Sequence, residues 1–148
     1  MKKQTFTTRL TLWTNRLTAL AVFILLITLR PIMDWYCTFR VLTVQEQTAI
    51  TIAFYACAAV IFYALWNMER LLNAILQGKV FVPENVQCIR RVQCCCGIVS
   101  LICIPAAFAY VPLAFIAAIM AFLCLVVSVV ACVMDRAVSL REENDLTI

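Results

Sequence analysis

"VQCCCGIVSLICIPAAFAYVPLAFIAAIMAFLCLVVSVVACV", Val92 to Val133, decides the fold, because it runs through the chain without a single charged residue. At ~1.5 Å rise per residue it is too long to cross a ~30 Å hydrocarbon layer once and about right for crossing it twice. The break falls at "AYVP", Ala109 to Pro112, since proline suits the first turn of a new helix, where its missing N–H would have no partner in any case. Helices are expected at about 92–109, with Pro105 a candidate kink, and at 112–134.

The neighbouring stretches follow the same logic. "AITIAFYACAAVIFYALW", Ala49 to Trp66, carries no charge and gives a span of about 48–67. "LTALAVFILLITLRPI", Leu17 to Ile32, has a shorter core and needs flanking residues to reach across, at about 12–33. "ITLRPIMDW" lacks the small-x-small site that a cleaved signal requires, so this segment is expected to stay as an uncleaved first span. With 65% apolar and 14% charged residues among 148, the chain has too little polar surface to cover a soluble globule. The expected fold is a single integral domain over residues 1–148: an all-α membrane protein of four transmembrane helices, with a cytoplasmic helical-hairpin extension (68–91) between spans two and three and a cytoplasmic tail (135–148).

Orientation follows from the basic residues. Lys2, Lys3, Arg9, Arg16, Arg70, Lys79, Arg90, Arg91, Arg136 and Arg141 lie on one side of this topology, and only Arg30 and Arg40 on the other. The asymmetry places both termini and the middle connection in the cytoplasm of a bacterial cell. Trp13 and Trp66 then fall at the inner boundary and Trp35, Tyr36 and Tyr110 at the outer one, as interfacial aromatics should.

The middle connection, "LLNAILQGKVFVPENVQCIRR", Leu71 to Arg91, is punctuated where the rest is greasy. Met68, Leu71, Leu72, Ile75 and Leu76 repeat at the period of one helical face, so span two is expected to continue as an amphipathic helix. Gly78 accepts the left-handed conformation that ends a helix, Val80 to Val82 form an extended link, and Pro83 with Glu84 open the next helix. Phe81 is expected at or beneath the hairpin tip. In the tail, "AVSLREENDLTI", Arg136 to Glu143 are expected to continue the last helix, Asn144 and Asp145 to turn it, and Leu146 to Ile148 to be extended. The tail is net acidic and the hairpin net basic, so the two can attract each other or a partner on the same membrane face.

Together these two motifs resemble the bacterial membrane proteins grouped as domain of unknown function 2975. That resemblance implies a small four-span protein without an assigned activity, often encoded beside a Cro/CI-type helix-turn-helix regulator, and hence a membrane partner for a cytoplasmic protein. Carried onto this chain, it marks Gly78, Phe81, Glu84, Asn85 and Arg90 in the hairpin, and Glu142, Asn144, Asp145, Leu146, Thr147 and Ile148 in the tail, as the candidate docking residues.

Other functions have less support in the residues. There is no histidine, no Gly-rich phosphate loop, no nucleophile elbow and no ionisable residue at mid-span, which argues against an enzyme and against an ion-coupled transporter, and leaves a small passive pore as a remote reading. No cofactor and no metal is expected. The net charge of +4 is explained by topology and anionic lipid, so no direct nucleic-acid binding is expected. Nine cysteines read as small packing residues between helices, with a redox or metal role for Cys88 and Cys94 or Cys95 as the alternative. Small-residue stripes, Ala49, Ala53 and Cys57 on span two and Ala114, Ala118, Ala121, Ser128 and Cys132 on span four, suit close helix packing within one chain, and a homo-oligomer by the same means. An immunity or envelope-defence protein acting through the spans and the outer loop, 30–47, is the alternative to a regulatory partner.

The orientation is testable. A single reactive cysteine placed at Gly78 or Ile148 is expected to resist a membrane-impermeant maleimide added to intact cells and to react after permeabilisation. Labelling from outside at either position would reverse the topology.

Overall fold

The computed structural model describes residues 2–39, 43–78 and 82–146, with side chains omitted at 2–6, 36–39, 109, 142 and 144–146. Among the described residues there are four α-helices and no strand: α1 Lys2–Phe39, α2 Val44–Leu76, α3 Pro83–Ala109 and α4 Pro112–Leu146. All four are long and apolar enough to cross a membrane, which fits a multi-pass membrane protein.

The punctuation acts locally as its chemistry dictates. Pro83 and Pro112 open α3 and α4. Gln77 caps α2, its N–H reaching the Asn73 carbonyl, and Gly78 follows at φ +79° with its own N–H on Ile75 O at 3.0 Å. Such a backbone conformation is costly for any residue with a Cβ. Val82 is extended, and its carbonyl accepts from the Asn85 N–H. At the other end of α2, the Glu46 carboxylate accepts from both the backbone N–H and the hydroxyl of Thr43. That closes the exposed first turn of the helix.

Three expectations shift. α1 runs from Lys2 to Phe39 and carries Pro31 inside it, so the helix is far longer than its apolar core. α4 continues through Asn144 and Asp145 to Leu146, where a turn and an extended tip were expected; once a long helix exists, propagation outweighs the few tenths of a kcal/mol that these residues disfavour it. Thr147, Ile148 and Phe81 lie outside the described residues. On α4 the packing face is also displaced. Ala117, Ala131 and Val138 are buried, whereas Ala118 and Cys132 are exposed. α4 has small residues on several sides, and those that meet α3 are chosen by what α3 offers: Ser100 donates to Ala117 O at 2.9 Å, Cys124 Sγ to Gln93 O at 3.4 Å, and Gly97 lies under Cys124. The span-two stripe does pack, with Ala53 buried and Cys57 Sγ 3.9 Å from Cys103 Sγ.

The helices are arranged as a row. α1 packs on α2, α2 on α3 and α3 on α4, while among the described residues no other pair approaches closely along its backbone. Cross-helix contacts join the first half of α1 to the second half of α2, and the first half of α3 to the second half of α4, so successive helices are antiparallel. The start of α1, the α2–α3 turn and the end of α4 therefore share one end of the molecule. The core sits where α2, α3 and α4 meet, around Val99, Cys103 and Ala117 with Val60, Ile61 and Met120 against them.

The two glycines should respond oppositely to substitution. A Cβ at Gly97 would sit 3.6 Å from Cys124 Sγ, ordinary contact, so Gly97→Ala is expected to raise stability by about 0.5–1 kcal/mol through helix propensity. Gly78→Val is expected to lower it by about 1–2 kcal/mol through backbone strain alone, since nothing crowds that position. Reversible unfolding in mixed micelles measures both.

Candidate functional site

Beyond Trp66 the polar residues Glu69, Arg70 and Asn73 of α2 and its C-cap Gln77 recur along one side of the helix, while Leu72, turned away from Arg70, is buried. This polar side faces the first turns of α3. Between them opens a cleft of ≈ 770 Å³, lined by those four residues together with Trp66, Ala74, Val82, Glu84, Asn85 and Cys88. Charge, amide and aromatic groups thus converge at the end of the molecule shared by the α2–α3 turn and both described chain ends.

Several of these groups are fixed by bonds across helices. Asn15, nearly buried on α1, donates to Leu65 O on α2 at 3.2 Å. One turn along α2, Arg16 of the same α1 segment meets Glu69 Oε1 through Nε at 3.0 Å and Nη2 at 2.8 Å. Asn67, only 2% exposed, turns its amide back onto Tyr63 O at 2.8 Å. Asn85 is 3% exposed at the start of α3, beside an exposed Glu84 whose charge favours the positive end of the helix. Buried amides of this kind are positioned rather than mobile, because an unsatisfied one would cost about 1–3 kcal/mol. Every described buried side-chain nitrogen and oxygen has a partner.

The residues marked by the sequence divide accordingly. Glu84 and Asn85 enter the cleft. Gly78 makes the turn beside it without lining it. Arg90 lies further along α3 and pairs with Asp135 of α4 at 2.9 Å, joining the hairpin to the first residue of the tail. Both partners are more than half exposed, so the pair contributes only about 0–1 kcal/mol. Glu142, Asn144, Asp145 and Leu146 have helical backbone within α4, but their side chains, like Phe81, Thr147 and Ile148, lie outside the described set.

Reasoning from sequence missed Asn15, Asn67, Asn73 and Gln77. Their signal was present: amides set within or just past a charge-poor helix, at positions where a purely lipid-facing surface has no use for them. Among the described residues no group of three metal-ligating side chains converges, and Cys88 and Cys95 are buried while Cys94 is exposed.

Residues 14–148 match the family described as Protein of unknown function (DUF2975), and the chain belongs to it. The match takes in both the cleft and the tail. No curated protein and no solved structure matches the chain.

Among the described residues the backbone of α1 packs on α2 and on no other helix, so its polar tie to α2 should be measurable. Asn15→Ala is expected to lower stability by about 0.6–1.7 kcal/mol, the range of interhelical side-chain bonds in membranes. A double-mutant cycle on Arg90 and Asp135 should give less than about 1 kcal/mol.

Proposed function

We propose that this family member is a non-enzymatic protein of the bacterial inner membrane, with both termini in the cytoplasm, and that it holds a small cytoplasmic helix-turn-helix regulator at its α2–α3 hairpin and C-terminal end. The observation that carries this reading is the polar cleft of ≈ 770 Å³ between α2 and α3, at the end of the molecule where α4 also terminates. Its chemistry is that of recognition. Amides at Asn73, Gln77 and Asn85 offer directional hydrogen bonds, Glu84 and Arg70 add charge of both signs, and Trp66 provides an aromatic surface of the kind that anchors interfaces. The concentration of basic residues at this end supports its cytoplasmic placement. In this arrangement the regulator would be kept at the membrane by contacts to the cleft, and the charged end of α4 would lie beside it.

A recess at the opposite end supports the alternative of an immunity or envelope-defence protein. It has a volume of ≈ 410 Å³ between α1 and α2, is lined by Arg30, Asp34, Gln47, Thr48 and apolar neighbours, and would face outward in this topology. On that reading Trp35→Ala impairs protection and removal of the tail does not.

The test is co-purification from detergent with a helix-turn-helix protein encoded by an adjacent gene. The full chain should capture it. Asn85→Leu combined with Glu84→Arg should weaken capture at least roughly tenfold, the effect of losing about one interface hot spot, and deletion of 137–148 should weaken it further. Undiminished capture by both variants would remove the cleft and the tail from the interface.

A further inference from the structure

We propose that Cys57 and Cys103 form an oxidisable dithiol served by a lipid-soluble quinone that enters the apolar cavity between the four helices. The two sulfurs are 3.9 Å apart, Cys57 near the middle of α2 and Cys103 in the second half of α3, each with apolar residues on both sides of it in the chain. Cys103 is 3% exposed and Cys57 partly so. Both line a cavity of ≈ 250 Å³ whose other walls come from every helix: Val22 and Leu25 of α1, Phe54 of α2, Val99 of α3, and Leu113 and Met120 of α4 among them. No charged, hydroxyl or amide side chain lines it. A cavity of this composition stays dry, and one of only about 150 Å³ already accepts a benzene ring.

This setting selects the oxidant. Exchange with a soluble disulfide needs access for a polar partner, which an apolar interior excludes. Charge left behind in such surroundings would be strongly disfavoured. A quinone avoids that difficulty because it takes up protons with its electrons. Both S–H bonds break, one S–S bond forms between Cys57 and Cys103, and the two electrons and two protons pass to the quinone carbonyl oxygens, giving the hydroquinone. The sum is neutral on each side. Closing the sulfurs from 3.9 Å to the ~2.05 Å of a disulfide requires side-chain rotation and a small approach of α2 to α3. The bond formed would join the helices that also bracket the polar cleft.

The experiment uses the full chain in liposomes, with decyl-ubiquinone as the probe. Non-reducing digestion and mass spectrometry should find a Cys57–Cys103 linked peptide, with hydroquinone formed in equal amount, and dithiothreitol should reverse the link once the protein is unfolded in SDS. Cys57→Ala should abolish both. Leu25→Trp, at a half-exposed cavity wall, should slow the quinone reaction roughly tenfold by filling the space, yet leave copper–phenanthroline oxidation of the same pair intact. Full alkylation of both thiols after quinone treatment, or a link confined to Cys94, Cys95 and Cys96, would overturn the dithiol. An unchanged quinone rate in Leu25→Trp would overturn the cavity as its entry.

Discussion

Hydrocarbon does not push apolar helices together, and this absence governs how the molecule is built. Each helix satisfies its own backbone, and association must come from close packing and a few interhelical polar contacts. The chain uses both at α3. Gly97 allows Cys124 to approach, Ser100 reaches the Ala117 carbonyl, and Cys103, one turn beyond Ser100, meets Cys57. α3 is accordingly the most buried of the four spans, and α1, packed on α2 alone, is the least.

A row of helices joined this way leaves space that a tightly closed bundle would fill. α1 and α4 both contribute walls to the central apolar cavity, although their backbones do not come into contact. In water such a gap would be closed by burial of the exposed Leu25 and Ile116 surfaces. In lipid those surfaces are already solvated, so the driving force for closure is weak.

How much of this could be read from residues alone depends on whether water or lipid is the solvent. The four helices were legible because charge-free length is an absolute requirement for crossing, and the helix starts at Pro83 and Pro112 were legible because proline has few other places to go. Gly78 was legible for the corresponding reason at a helix end. Which face of α4 packs was not. A lipid-facing surface is as apolar as a buried one, so periodicity carries no contrast there, and Ala117 and Ala118 look equivalent until α3 is in place. Of the cleft, Glu84 and Asn85 were marked, while Asn73 and Gln77 were passed over as ordinary members of the polar face of an amphipathic helix. The end of α4 was misread since Asn144 and Asp145 permit a turn without requiring one.

Length explains why the polar cleft lies where it does. α2 has 33 residues, which at ~1.5 Å per residue is about 50 Å, well beyond a ~30 Å hydrocarbon layer. The uncharged run from Ala49 to Trp66 fixes which part sits in that layer, leaving Asn67 to Leu76 to project from it. A projecting helix is again in contact with water, so the hydrophobic effect returns there and amphipathicity regains its meaning. That is why α2 becomes two-sided only after Trp66, with Leu72 buried and Asn73 turned to the cleft, and why α3, beginning at Pro83, brings Asn85 in beside it. The same excess length applies to α4, whose charged residues begin at Asp135, level with Arg90. The polar cleft and the membrane anchor are thus successive parts of the same helices, separated by the depth at which the solvent changes.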